Sequence, residues 1–270
     1  MRVVTVGEGE PEVAAVGAVH GDEPCGARAI ERFLAEDRAV RRPAKLIVAN
    51  ERALERGERF VDADLNRSFP GDPDGDAHEV RLAHDLLAEV EGLLTLGFHA
   101  TVSFDEPFGT VANLDAEKAR VMRALPLDHV ADFTGVVEGR SVTLPRFVNV
   151  EAGYQGSDRA AENAYECLVA FLRLAGVLPG DPAFTETVNY RVRETVEKRP
   201  GRSYEVHARN FERVPAGEPY AAADGELLRA DEPFWPVLMS ANGHDRLLGY
   251  RADRTGPVAA AVEGDVGRVA

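Results

Sequence analysis

The sequence predicts an α/β fold, a sheet with helices on both faces, followed by a smaller C-terminal all-β domain. Three observations predict it. Apolar runs of strand length alternate with amphipathic stretches of helical spacing through the first two thirds of the 270 residues. The segment Leu178 to Pro182 (LPGDP) then marks a change of character. Beyond it, short alternating stretches recur between turn pairs, with no convincing helix. The expected domains are residues 1–180 and 184–270.

Each element follows from local chemistry. Val13 to Val19 is a continuous apolar run and reads as a buried strand. The HGDEP that follows opens a helix through Phe33 and Leu34; Pro24 suits a first turn, and Asp22 and Glu23 suit the positive end of a helix dipole. Lys45 to Ala49 is a short strand. Asp76 to Val90 has an apolar face made of Val80, Leu82, Leu86, Leu87 and Val90, so it reads as a helix. Leu93 to Phe98 and Arg146 to Val150 are further strands. Asp158 to Ala175 is a long helix closed by Gly176 and Pro179. In the C-terminal third, Thr185 to Val196 alternates as a strand does, and Pro200-Gly201, Asp224-Gly225 and Asn242-Gly243 are turn signals.

Composition excludes several functions. Acidic residues number 46 against 31 basic ones, for a net charge of −15. A phosphate backbone is repelled by such a surface, and no basic patch breaks it, so nucleic acid is excluded as a partner. No run reaches the ~18 apolar residues of a membrane span. The first residues, MRVVTVGEGEPEV, lack the basic and apolar regions of a signal peptide, and with only Cys25 and Cys167 a disulfide framework is ruled out. A cytoplasmic protein is expected; a homo-oligomer is left open. Only Lys45, Lys118 and Lys198 are lysines, the other 28 bases being arginine. Acid excess with little lysine fits a halophilic setting, where salt near 1 M shortens the Debye length to ~3 Å and lets an anion approach an acidic surface; a high-GC genome, which replaces lysine by arginine, is the alternative.

Polar clusters fall at the ends of three expected strands, where open α/β sheets place ligands. They are His20-Gly21-Asp22-Glu23, then His99, then Glu151-Ala152-Gly153, with a loop, Arg59 to Arg67 (RFVDADLNR), between the first two. A catalytic zinc takes three His or carboxylate ligands and keeps one position for water, whose pKa it lowers to ~7. His20 and Glu23 lie on one turn, and His99 could complete the set. Glu151 is then placed to act as general base and acid. Arginine grips carboxylates in bidentate fashion and stabilises oxyanions, which is the alternative to a merely surface role for Arg59, Arg67 and Arg140. An HxxE pair alone also occurs by chance.

The combination is more specific. GAVHGDEPCG, RFVDADLNRSFPG, FHAT and VNVEAGYQG, in that order, resemble the succinylglutamate desuccinylase/aspartoacylase family of zinc hydrolases. The resemblance covers residues 13 to about 175 well and the C-terminal part weakly. It implies a zinc-carboxypeptidase-like mixed sheet flanked by helices, with one zinc per chain held by His20, Glu23 and His99. It also implies Arg59 at the oxyanion, and Asn66, Arg67 and Arg140 on a substrate carboxylate. Glu151 is the implied general acid/base, and Tyr250 a C-terminal tyrosine reaching the pocket. The implied substrate is a small anionic N-acyl amino acid whose amide is cleaved. Carboxypeptidase-like hydrolysis, or binding without turnover, are the alternatives.

Three positions depart from the family pattern. Gly97 stands two residues before His99, where similar sequences carry an acid as in D-L-H. A carboxylate there orients the ligand histidine; without it a backbone carbonyl takes over, or metal binding weakens ~10-fold or more. SFDEPFGT follows His99 in place of a small polar run, and Tyr154 stands where relatives carry proline. His78 and His84 are six apart and do not share a helix face. His129, His207 and His244 have no partner in spacing and read as structural or solvated. Cys25 reads as a small buried residue, with a spare ligand or redox-sensitive thiol as its alternatives, and Cys167, Phe234 and Trp235 read as packing residues.

Overall fold

The computed structural model describes residues 1–263. Strand β1 (Arg2–Val6) leads to β2 (Val13–Gly17), helix α1 (Cys25–Ala35), β3 (Ala44–Val48) and a short helix α2 (Glu51–Arg56). After a loop with a 3-10 turn at Leu65–Arg67 come α3 (His78–Val90), β4 (Leu94–Thr101), β5 (Phe108–Val111), α4 (Ala116–Ala124) and β6 (His129–Asp132). A second 3-10 turn, Ser141–Thr143, precedes β7 (Phe147–Tyr154) and α5 (Asp158–Leu174). Then follow β8 (Val188–Glu197), β9 (Tyr204–Val206), β10 (Pro219–Ala223), β11 (Glu226–Arg229), β12 (Trp235–Val237), β13 (Leu247–Pro257) and α6 (Val258–Glu263).

The fold is mixed α/β. Ten strands form one sheet in the order β1-β3-β2-β4-β7-β5-β6-β8-β13-β12, and β11-β10-β9 form a small antiparallel sheet. The centre, β3-β2-β4-β7, is parallel. All five residues of β2 and all eight of β4 are buried, as strands covered on both faces must be. One face is covered by α1, α4 and α5, whose Ile30, Met122, Leu168 and Phe171 share a core with Leu96, Phe98 and Val148. The other is covered by α3, whose Leu82, Ala83, Leu86 and Val90 pack on Ala14, Val16, Ile47 and Phe147. A side chain such as Phe98, fully buried, contributes roughly 2–3 kcal/mol by its removal from water. Asn50, Asp115 and Ser157 cap α2, α4 and α5 by accepting from backbone N–H groups of the first turn.

Three expectations are corrected in detail. His99 and Glu151 lie inside β4 and β7, not beyond their ends, because both strands run a few residues further than their apolar runs. The expected boundary near residues 180–184 does not separate two sheets: β8 pairs in parallel with β6, and β13 and β12 extend the same sheet from there. Tyr190, Val192, Val237 and Tyr250 accordingly share a core with Phe108, Ala131 and Phe133. The C-terminal third also contains a helix, α6, which the short apolar stretch at Val258 did not signal.

Candidate active site

The turn between β2 and α1 delivers the first two candidate ligands. Ala18 takes a left-handed backbone conformation (φ 52°), which breaks the strand and turns the chain toward His20. Gly21 follows because the turn lies directly on α2: a Cβ there would come within 2.0 Å of the Ala53 carbonyl carbon. His20 and Glu23 are both buried, as is His99. One ligand atom from each of the three lies within 4.8 Å of the others.

Glu23 is the hub of the cluster. Its Oε1 accepts from His20 Nδ1 at 2.8 Å, and its Oε2 accepts from His99 Nδ1 at 2.9 Å and from the Ala100 backbone N–H at 3.1 Å. The other His20 nitrogen, Nε2, faces Asp64 Oδ1 at 2.9 Å. With a carboxylate at each nitrogen, His20 carries both protons. Burial alone would disfavour that cation, but Glu23 and Asp64 outweigh it and raise the His20 pKa to about 9. Burial works against the Glu23 carboxylate too, yet His20 and His99 hold it well below the usual carboxylate range. His99, opposite in outcome, is lowered by burial despite Glu23.

These atoms suit a divalent cation. The Nδ1 atoms of two histidines converge on one carboxylate. Two neutral imidazoles and a carboxylate are a common ligand set for catalytic zinc. Asp64 holds the back of His20, as outer carboxylates do in such sites.

Glu151 stands beside this cluster in register with His99, on the adjacent parallel strand. Burial, and then the nearby charge of Glu23, raise its pKa to about 8. No hydrogen-bond partner holds the carboxyl among those of the described residues, so it is free to meet a ligand.

The loop after α2 brings in the guanidiniums. Arg59 donates Nη1 to Glu23 Oε1 at 3.0 Å, and Nε and Nη2 to Asp64 Oδ2 at 3.2 Å each. Asp64 in turn accepts from the Asn66 backbone N–H, which winds the 3-10 turn that carries Asn66 and Arg67. Glu79, fully buried in the first turn of α3, holds the loop from beneath. Its carboxylate accepts from the backbone N–H groups of Val61, Asp62 and Ala63 and from Asn50 Nδ2. Arg140 donates to the Tyr250 hydroxyl at 3.2 Å. Neither Arg67 nor Arg140 has an acidic partner among the described residues, in a chain with acid to spare.

All nine residues singled out in the sequence (His20, Glu23, Arg59, Asn66, Arg67, His99, Arg140, Glu151 and Tyr250) line one cleft out to its mouth. Arg59 differs from expectation in its present contacts, being held by Glu23 and Asp64 rather than facing open space. Asp64 and Glu79 were not singled out; an acid at every other position of VDAD and an acid opening α3 carry no signal until the loop folds. His244, read as unpartnered, is exposed but stands at the mouth of the cleft. Cys25 is buried with its Sγ donating to the His99 backbone carbonyl at 3.4 Å, away from the cluster. Burial and Glu23 push its thiol pKa well up, which removes thiolate reactivity. Cys167 and Phe234 are core residues, and His129 stacks on Phe211 with ring centroids 4.5 Å apart.

Residues 10–105 match the model of the succinylglutamate desuccinylase/aspartoacylase catalytic domain, a span that includes His20, Glu23, Arg59, Asn66, Arg67 and His99. An N-acyl-aromatic-L-amino acid amidohydrolase (carboxylate-forming) from Xenopus laevis is 33% identical over 84 residues, which are 28% of this chain and 28% of that protein. Among solved structures, the product-bound ectoine utilization protein EutE (DoeB) from Ruegeria pomeroyi superposes with a TM-score of 0.75 at 22% identity, over 94% of this chain and 88% of that one. A succinylglutamate desuccinylase/aspartoacylase from Rhodobacter sphaeroides gives 0.73 at 22% identity, over 94% and 87%. Murine aminoacylase 3 gives 0.69 at 21% identity, over 92% and 97%. The segment 10–105 is thus similar to the succinylglutamate desuccinylase/aspartoacylase catalytic domain, and the chain shares the fold of these solved structures.

Proposed function

We propose that this protein is a zinc-dependent hydrolase that cleaves the amide bond of a small anionic N-acyl amino acid. The observation that carries the reading is the convergence of His20, Glu23 and His99 in one cleft with Glu151 and with Arg67 and Arg140, which have no acidic partner. The names of the amphibian amidohydrolase and of aminoacylase 3 support the substrate class.

His20, Glu23 and His99 would hold one zinc ion per chain. When bound, zinc supplies a Lewis acid that polarises the amide carbonyl and makes water acidic. Glu151 removes a proton from the attacking water and delivers it to the departing amine nitrogen, so water adds to the acyl carbon as the C–N bond breaks. Arg59 reaches the same region, and its Nη1 donor turns to the developing oxyanion when Glu23 serves as a ligand. Asn66, Arg67 and Arg140 receive the substrate carboxylate, with the Tyr250 hydroxyl fixing the Arg140 fork.

The test has two arms, both in high salt. Metal content by mass spectrometry should be about one zinc per wild-type chain and should fall away in His99→Ala. Turnover of a panel of N-acyl amino acids should exceed that of dipeptides with free C-termini, compared as kcat/KM. A clear preference for peptides would replace the deacylase reading with a carboxypeptidase-like one. A folded chain that binds zinc without hydrolysing either class would be a binding protein.

A further inference from the structure

Gly97 lacks the acid that would steady His99, and the structure shows what fills its place. Gly97 and Asn149 are register partners on β4 and β7, one pair before His99 and Glu151. Side chains two apart on a strand share a face, so all four positions point to the same side of the sheet. A Cβ on Gly97 would lie 2.1 Å from Asn149 Oδ1. The Asn149 carboxamide therefore occupies the volume that a side chain at position 97 would take.

The orientation of that carboxamide is determined by its other end. Asn149 Nδ2 donates to Ser141 Oγ at 3.2 Å; the Ser141 hydroxyl and backbone N–H both donate to Asn66 Oδ1, at 2.9 Å each. Donors and acceptors along this chain agree in one direction only, so Oδ1 is the end of Asn149 turned toward Gly97. That oxygen is buried and has no hydrogen-bond partner. The same is true of one nearby nitrogen, His99 Nε2, the ring atom left over once Nδ1 faces Glu23. A buried acceptor and a buried ring nitrogen, each without a partner and on neighbouring strand positions, cost free energy separately and would satisfy each other on coming within hydrogen-bond distance.

We propose that Asn149 is the positioning residue for His99: its Oδ1 accepts from His99 Nε2–H when Nδ1 is a metal ligand, in place of the acid missing at position 97. The proposal rests on the reading of His99 as a zinc ligand. Accepting from Nε2–H selects the tautomer whose Nδ1 carries the lone pair, and it fixes the ring plane. Through Ser141, the same side chain belongs to the network that turns the Asn66 Nδ2 donors away from Ser141 and toward the cleft. Metal ligand and carboxylate-binding residue thus share one support.

The experiment measures zinc affinity by competition with a chromophoric chelator, independently of turnover. Asn149→Leu keeps the volume and removes the acceptor; it should weaken zinc binding ~10-fold or more. Asn149→Asp keeps an acceptor in the same place and should bind zinc at least as tightly as wild type. Gly97→Asp combined with Asn149→Gly moves the acceptor to the other strand and should recover affinity lost in Asn149→Gly alone. Wild-type affinity in a folded Asn149→Leu, or an Asn149→Asp as weak as Asn149→Leu, would overturn the proposal. Should Leu at this position prevent folding, the Asp variant and the strand exchange decide the matter. A wild type that binds no zinc would remove the proposal together with the metal reading. That outcome is distinct, because every variant would then match wild type.

Discussion

His99 and Glu151 are register partners on adjacent parallel strands, so the third candidate ligand and the candidate base are held side by side by the backbone ladder itself. Neither side chain needs a long loop to reach the other. Strand placement keeps such groups within the small tolerances that proton transfer demands.

Substituting Glu151 by Gln should separate catalysis from metal binding. The amide keeps the shape but cannot move a proton, so kcat should fall by about 10²–10⁴-fold. Zinc content should stay at the wild-type level. Turnover unchanged in Glu151→Gln would remove this residue from the chemistry.

Metal removal should act through the cluster around Glu23. Dialysis against a chelator should abolish turnover and addition of zinc should restore it. In Glu23→Gln, both histidines lose the carboxylate that their Nδ1 atoms face, and restoration should fail.

Arg140 and Tyr250 should be read out in KM. Arg140→Ala removes a charged grip on the substrate carboxylate, and KM should rise about 10- to 100-fold. Tyr250→Phe removes only the hydroxyl that receives Arg140 Nη1, so its effect should be several-fold smaller. Equal effects on kcat alone would place Arg140 at the transition state instead.

Glu79 gives a pH dependence of stability with a definite sign. Burial raises the pKa of this carboxyl, but three backbone N–H groups and Asn50 outweigh burial and lower it to about 2. A folded-state value below the unfolded one means that stability is fully present above about pH 4.5 and is lost as the pH falls toward 2. The contribution is on the order of 3 kcal/mol. Chemical denaturation of Glu79→Gln against wild type should show a gap at pH 7 that narrows over that acid window. A gap independent of pH would mean that the side chain acts by packing alone.

Gly21→Ala should destabilise the fold by about 1–3 kcal/mol or more, since the added methyl meets the Ala53 backbone and not a side chain that can move. A melting temperature equal to wild type would show that the turn and α2 can separate at no cost.

Much of this was legible in the chain. The apolar runs at Val13, Lys45, Leu93 and Phe147 became the four central parallel strands, because a strand buried on both faces must be apolar throughout. The elements not read are the short or weakly patterned ones: β1, α2, β5, α4, β6 and α6. β5 and β6 have four residues each, too few for any period to appear. The end of the sheet was also hidden, since β8 alternates like a strand of a separate sandwich until it pairs with β6.

By itself the sequence determined the strand–helix alternation and the acidic charge, because apolar period and charge are local properties; the nine candidate site residues came from its resemblance to a known family. Tertiary structure decided the rest. It joined the C-terminal strands to the main sheet and brought Tyr250 beside Arg140 from 110 residues away. It put Glu79 beneath the Arg59–Asp64 loop and laid Asn149 over Gly97. Each is a contact between residues distant in sequence, and no local pattern encodes which buried donor meets which acceptor. The requirement that buried polar groups be satisfied acts only once the strands are paired and water has been expelled.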